Sequence, residues 1–410
     1  MKLLQRCIAP IKRHMPQIIR FAPLVLIAVI VLITFTKCSR REDPEPPDVV
    51  EETPLVTPTA SLPPTPSLPP PASPSPSPSD TPDPDPEPDP DPEEAEDPEP
   101  AGPFNPLTGI PTETDISGFR PIAVMINNNV DSMPQLGVSC ADIIYEMLVE
   151  GGITRMIALF SDVSDVGVIG SIRSSRHYYI DIVRNYDAIY LFAGGSPQAY
   201  DILRRGDITC LDGVGVVGRD TDIFYRDRQR QAIMSLEHTM VTTGELISTR
   251  LPTYNFRLEH NEDYTPPLSF TQDGTPEDGE QALDFAVRFS PSKTTSFTYN
   301  EEDGLYYLRQ HSRDYLDGND NTQIAVTNVV VLKTVIANIP GDREGRVNVA
   351  MTGEGTGYFI CGGKYVGITW SRDTGTSQYR YALTDGTELL FGQGKSYFCI
   401  IPIGYDVSFT

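Results

Sequence analysis

The sequence predicts a mixed α/β protein. A layered α/β domain with a buried mixed sheet is followed by a β-rich domain, both behind a single N-terminal membrane anchor and a disordered Pro-rich linker. Three observations carry this expectation. An uncharged apolar run follows a basic start, and a proline- and acid-rich stretch then separates it from the rest. Beyond that stretch, residues 104–250 alternate apolar strand patterns with helix signals, whereas from about 282 strand signals dominate. The chain of 410 residues therefore divides into a cytoplasmic basic segment (1–20), an anchor (21–36), a linker (37–103), an α/β domain (104–250), a connector (251–281) and a β-rich domain (282–410).

Phe21 to Thr36 is sixteen residues without a charge, preceded by five bases and followed by three. At about 1.5 Å per residue it is slightly short of a bilayer core of about 30 Å, and Ile18 and Ile19 lengthen it if Arg20 snorkels. The charge bias places the N-terminus in the cytoplasm and the bulk outside. Alternatively the run is a lipoprotein signal and Cys38 carries lipid on the outer face, although Lys37 stands where that processing favours a small residue. Either way the cell membrane is the first partner.

Residues 42–103 hold 17 acids, no base and 23 prolines. Such a segment lacks the apolar groups that offset chain entropy, and alternating proline stiffens it toward polyproline II. It reads as a spacer or a solvated linker. The remaining body holds 24 bases against 39 acids. That acidity repels phosphate backbones, and no basic stripe offsets it, so nucleic acid is not an expected partner. Cys140, Cys210, Cys361 and Cys399 show no metal-ligand spacing and are open to either disulfides or buried thiols.

In the α/β domain, residues 121–127, 155–160 and 187–193 read as buried strands. Residues 139–152 read as a helix opened by Ser139 and closed at Gly151, and residues 174–186 as a second helix with Tyr179, Ile182, Val183 and Tyr186 on one face. A third helix follows Gly194-Gly195-Ser196-Pro197. In the second domain, residues 295–310 read as a hairpin around Asp303-Gly304, and several further strands follow. Trp370 reads as core.

The motifs NPLTG (105–109), RPIAVMINN (120–128), ADIIYEMLVEGGITR (141–155), IGSIRSSR (169–176), AGGSPQAY (193–200) and FYRDRQR (224–230), with His238 after them, resemble the YerB-like lipoprotein family. TNVVVLK and GKYVGITWSR resemble its C-terminal domain. The resemblance implies a membrane-attached extracytoplasmic protein built of paired domains of unknown function, and it implies no reaction. His177 and Phe192 depart from the Asp and His that the family pattern suggests there.

The candidate site gathers around two motifs. Arg173 and Arg176, with Ser174 between them, offer paired donors to phosphate or carboxylate. Gly194, Gly195 and Ser196 open a helix whose free N–H groups attract anions. Arg226, Glu150 and His238 complete the set of ligand-binding candidates. Asp142, Glu146 and Glu150 at helical i, i+4 and i+8 offer oxygen ligands to a hard cation. The expected function is recognition of an anionic cell-wall ligand or envelope protein without catalysis and without a cofactor. The alternative is an envelope enzyme acting on a phosphorylated or lipid-linked glycan, loosely similar to LytR-CpsA-Psr ligases. Its arginines would grip phosphate while Asp142 and Glu150 held Mg2+.

Overall fold

The computed structural model describes residues 102–218 and 222–410. The expected anchor, Cys38 and nearly all of the linker lie outside the described residues. Among the described residues no helix is long and apolar enough to cross a membrane.

The first half runs β1 (Ile122–Asn127), β2 (Ile143–Leu148), β3 (Thr154–Phe160), β4 (Val168–Gly170), α1 (His177–Asn185), β5 (Ile189–Phe192), α2 (Pro197–Leu203) and β6 (Cys210–Asp212). Then come β7 (Tyr225–Arg226), α3 (Arg228–Gln231), β8 (Met240–Thr243) and α4 (Gly244–Arg250). Every residue of β1, β2 and β3 is buried, as strands covered on both faces require.

One expected element is different in kind. Residues 139–152 are not a helix: they form a short turn, then β2, then a second turn at Glu150–Gly152. A strand buried at every residue and bounded by turns imitates a buried helix, because neither period stands out when both faces are covered. The side chains expected to cap a helix organise the strand instead. Asp142 accepts hydrogen bonds from Ser161 N at 2.7 Å and Ser161 Oγ at 2.8 Å, tying the start of β2 to the end of β3. Gly151 and Gly152 both have φ +72°, turning the chain back from β2 into β3.

The second half contributes β9 (Glu280–Gln281), β10 (Asp284–Ser290), β11 (Lys293–Asn300), β12 (Leu305–Gln310), β13 (Asn328–Thr334), β14 (Gly353–Cys361) and β15 (Lys364–Arg372). It ends with β16 (Arg380–Leu383), β17 (Ser396–Pro402) and β18 (Val407–Phe409). The expected hairpin is present, with Asn300 paired to Leu305 across a turn where Gly304 adopts φ +72°.

The halves share one sheet. Its order is β9-β15-β14-β13-β17-β2-β3-β1-β5-β6, with β16 alongside β15, eleven strands in all. β17 lies parallel to both β13 and β2 and is the strand that joins them. α1 and α2 cover one face, burying Tyr179, Ile182, Val183 and Leu203 in a core that also holds Trp370. A second sheet, with β12-β11-β10-β18 in order, covers the other face through Phe285, Phe297 and Leu308. The third sheet, β4-β8-β7, lies at the margin of the first half.

Two buried charged groups cross between the halves. Glu146 of β2 meets Lys293 Nζ at 3.0 Å, and Thr154, Asn128, Thr295 and Tyr397 each donate to its carboxylate within 2.9 Å. Burial pushes the Lys293 ammonium below its ordinary range against the pull of Glu146. Arg372 of β15 is fully buried and reaches Asp181 of α1 at 3.1 Å. The four described cysteines are unpaired, with Cys140 exposed and Cys210, Cys361 and Cys399 buried.

Candidate functional site

The loop between β4 and α1 delivers Arg173, Ser174 and Arg176, and the end of β5 delivers Gly194 and Gly195 directly beside it. Ser175 N donates to Gly194 O at 2.9 Å, and Ser196 N donates to Ser175 O at 3.2 Å, so the two motifs are laced together by backbone. Gly194 has φ +86°, and a Cβ there would lie 3.0 Å from Ser174 Oγ. The positive φ therefore favours glycine here, and a side chain would also press on Ser174. The fold thus sets the Arg173–Arg176 loop and the Gly194–Ser196 turn side by side.

Their use differs from the expectation. Ser196 caps α2 by accepting from Ala199 N at 3.2 Å, and α2 is a single short segment of seven residues. Asp212 fills the neighbouring space. It accepts from Gly194 N at 2.9 Å, Val214 N at 3.1 Å and the Tyr200 hydroxyl at 3.1 Å. The glycine-lined helix start is thus occupied by the protein's own groups and does not form an anion cradle.

Arg176 is likewise taken. It is buried, donates from Nε to Glu150 Oε2 at 3.0 Å, makes a second contact with Glu150 Oε1, and donates to Ser175 O at 2.8 Å. A further guanidinium, Arg155 at the start of β3, shares Glu150 at 3.3 Å and donates to Ser174 O at 2.7 Å. Burial alone would raise the Glu150 carboxyl. The Arg176 hydrogen bond and the charges of Arg155 and Arg176 outweigh burial and hold it below its ordinary value. Burial and the neighbouring Arg176 charge lower Arg155 to about 10. Two arginines on one carboxylate leave an excess positive charge, and Arg155 Nε has no partner.

Arg173 stands apart from this. Its side chain is 20% exposed, and its acidic partner is Glu237 at 3.0 Å, a carboxylate that is itself 56% exposed. Arg173 also donates to Glu237 O at 3.3 Å, while Arg226 contacts Leu236 O and Arg230 Nε donates to His238 O at 3.2 Å. Three arginines therefore hold the three successive carbonyls of one turn. His238 is buried within this turn, with Nδ1 2.9 Å from Asn127 Nδ2. Since an amide nitrogen donates, the ring proton sits on Nε2. Burial lowers the His238 pKa, partly offset by Glu237, and burial with the Arg173 charge lowers that of Arg226.

The carboxylate set for a cation is not assembled. With residues 139–152 forming a strand and two turns, Asp142 and Glu150 stand at opposite ends of β2, about 26 Å apart at 3.3 Å per residue. Glu146 is buried in the core, and Glu150 belongs to the arginines. Burial raises the Asp142 carboxyl, offset in part by its bonds to Ser161. His177 Nε2 lies 2.7 Å from Asn348 Oδ1, and Phe192 packs on Tyr190 with ring centroids 4.8 Å apart. Sequence reasoning missed Arg155 and Glu237. A lone arginine opening an otherwise apolar strand was the available signal for the first.

Residues 107–257 match the N-terminal domain, and residues 285–398 the C-terminal domain, of a family described as protein of unknown function (DUF3048). The chain is 27% identical over 301 residues to "Putative lipoprotein YerB" of Bacillus subtilis strain 168, covering 72% of this chain and 86% of the relative. A crystal structure of the YerB protein from Bacillus subtilis superposes with a TM-score of 0.64 at 25% identity, covering 74% of this chain and 99% of that one. With both domains matched in order and the fold shared across nearly the whole of the solved relative, the chain belongs to the YerB-like, DUF3048 family.

Proposed function

We propose that this protein is a membrane-attached, extracytoplasmic envelope protein that recognises an anionic group through Arg173, with Arg226, His238 and the excess charge of the Arg155–Arg176–Glu150 cluster behind it. Membrane attachment is supported by the N-terminal sequence and by the relative's designation as a lipoprotein. The observation that carries the ligand reading is the pairing of Arg173. It is the one guanidinium of the cluster whose carboxylate is mostly exposed. An exposed ion pair contributes at most about 1 kcal/mol, so a ligand phosphate or carboxylate displaces Glu237 at little cost. Buried Arg176, held by two hydrogen bonds to half-buried Glu150, acts as the wall that positions the Arg173 loop.

Inorganic pyrophosphate is the first probe, read as a shift in melting temperature of the intact protein in detergent. Arg173→Ala weakens binding about tenfold or more, the value of a charge-assisted hydrogen bond. Glu237→Gln removes the competitor and strengthens binding by about fivefold. A melting shift that neither substitution alters rules the site out.

A further inference from the structure

The turn that Arg173, Arg226 and Arg230 hold from below presents an unusual tip above. From Gln231 to Glu237 every residue except Met234 is exposed. Two of them are large aliphatics, Ile233 at 79% and Leu236 at 62% exposure. Thirteen large hydrophobics are exposed among the described residues, and six lie at this end: Val130, Val214, Val216, Tyr225, Ile233 and Leu236. Bonds place these segments side by side. Arg230 donates to Pro134 O at 2.8 Å, next to the Val130 turn, and Gly213 lies against Phe224, with a Cβ there 3.2 Å from the ring.

The charge around the tip is opposite to that of the body. Residues 225–238 carry Arg226, Arg228 and Arg230 against Asp227 and Glu237, Arg173 joins them from the neighbouring loop, and Asp131 of the Val130 turn is the third acid, leaving four arginines against three carboxylates. Asp227 is spent capping α3, accepting from Gln229 N at 2.8 Å and Arg230 N at 2.9 Å. A protein otherwise rich in acid thus offers a cationic corner here, and that corner carries Ile233, the most exposed large aliphatic among the described residues.

We infer that this corner docks on a bilayer surface bearing anionic phospholipids, with Ile233 and Leu236 entering the headgroup layer while Arg173, Arg226 and Arg228 meet lipid phosphate. The inference rests on the anion site proposed above and names its partner. A protruding tip has no matching groove to fill, and lipid accommodates any apolar shape, so apolar insertion with surrounding arginines is the interfacial pattern. An anchor on the same chain keeps the surface within reach and raises its effective concentration.

The test reconstitutes the full chain in vesicles of phosphatidylcholine alone or mixed with phosphatidylglycerol. Ile233→Trp supplies the reporter. The native Trp370 is 4% exposed and serves as an internal constant. The expected result is a blue-shifted emission from residue 233 in phosphatidylglycerol vesicles only, reversed by about 1 M salt, where the screening length is about 3 Å. Arg228→Ala diminishes the shift, and Leu236→Trp reproduces it independently. Emission that stays at the water-exposed value, or that shifts equally in phosphatidylcholine, overturns the inference. Glycerol phosphate then separates the two readings. If it stabilises the protein through Arg173 while residue 233 remains in water, the anion site stands and the membrane contact falls. If residue 233 shifts with no effect of glycerol phosphate, the membrane contact stands and the soluble-ligand site falls.

Discussion

Arg173 and Arg176 stand three positions apart and carry the same group, yet only one of them is available to a guest. The difference lies in the partner. Glu150 arrives on the β2–β3 turn and is pinned by two arginines, whereas Glu237 arrives on an exposed turn and meets one. Removing Glu150 as Glu150→Gln leaves two buried guanidiniums without a counter-charge and should cost about 3 kcal/mol in urea unfolding. Glu237→Gln should cost less than about 1 kcal/mol in the same assay. A second carboxylate sets acid sensitivity. Burial alone would raise Asp187, but hydrogen bonds from His260 and Arg257 with the Arg120 and Arg257 charges bring it from 3.8 to about 2. A depressed folded-state carboxyl stabilises above its unfolded pKa and loses that contribution as pH falls through the folded value. Asp187→Asn should therefore lose about 1 kcal/mol at pH 7, allowing for solvent screening, and flatten the stability profile between about pH 4 and pH 2. An unchanged acid slope would reject this account. At this scale the sequence revealed Arg173, Arg176 and Glu150 but not how they pair, because Arg155 and Glu237 come from segments that only the sheet and the turn bring together.

At the scale of elements, local chemistry was legible where it was local in origin. Ser196 followed by Pro197 starts α2, and Ser196→Ala should cost about 1 kcal/mol of stability by chemical denaturation. The hairpin at Asp303-Gly304 was readable from its turn residues, and β1, β3 and β5 from short, nearly unbroken apolar runs. β2 was not. Its six residues are buried on both faces, so its sequence carries no contrast between inside and outside, and its flanking Ser139, Asp142 and Gly151 imitate helix caps. That single reassignment dissolves the acidic row at 142, 146 and 150. It turns Glu146 into a core residue and leaves the enzyme alternative without its pair of metal-binding carboxylates.

At the scale of the molecule, the first and second halves were expected as successive domains, and in the structure they share their largest sheet. β17 sits between β13 and β2 with a full parallel ladder on each side, while Glu146–Lys293 and Arg372–Asp181 tie the halves again through buried charge. Urea unfolding followed by Trp370 fluorescence and by far-ultraviolet circular dichroism should give one coincident transition. Two separated transitions would show that the halves unfold independently. No sequence pattern signals such sharing, since strand pairing between distant segments leaves no local mark.

The ladder of β17 on β2 sets a clock. Ile143 pairs with Ser396, so the neighbour that completes β2 emerges from the ribosome only after almost everything between them. Until then one long apolar edge of the first half stays open to pairing with other chains. Completion of the main sheet is therefore postponed to the final moments of synthesis. In that interval a helper able to shield an unfinished β-edge would matter more to the yield of this protein than any single contact in its finished form.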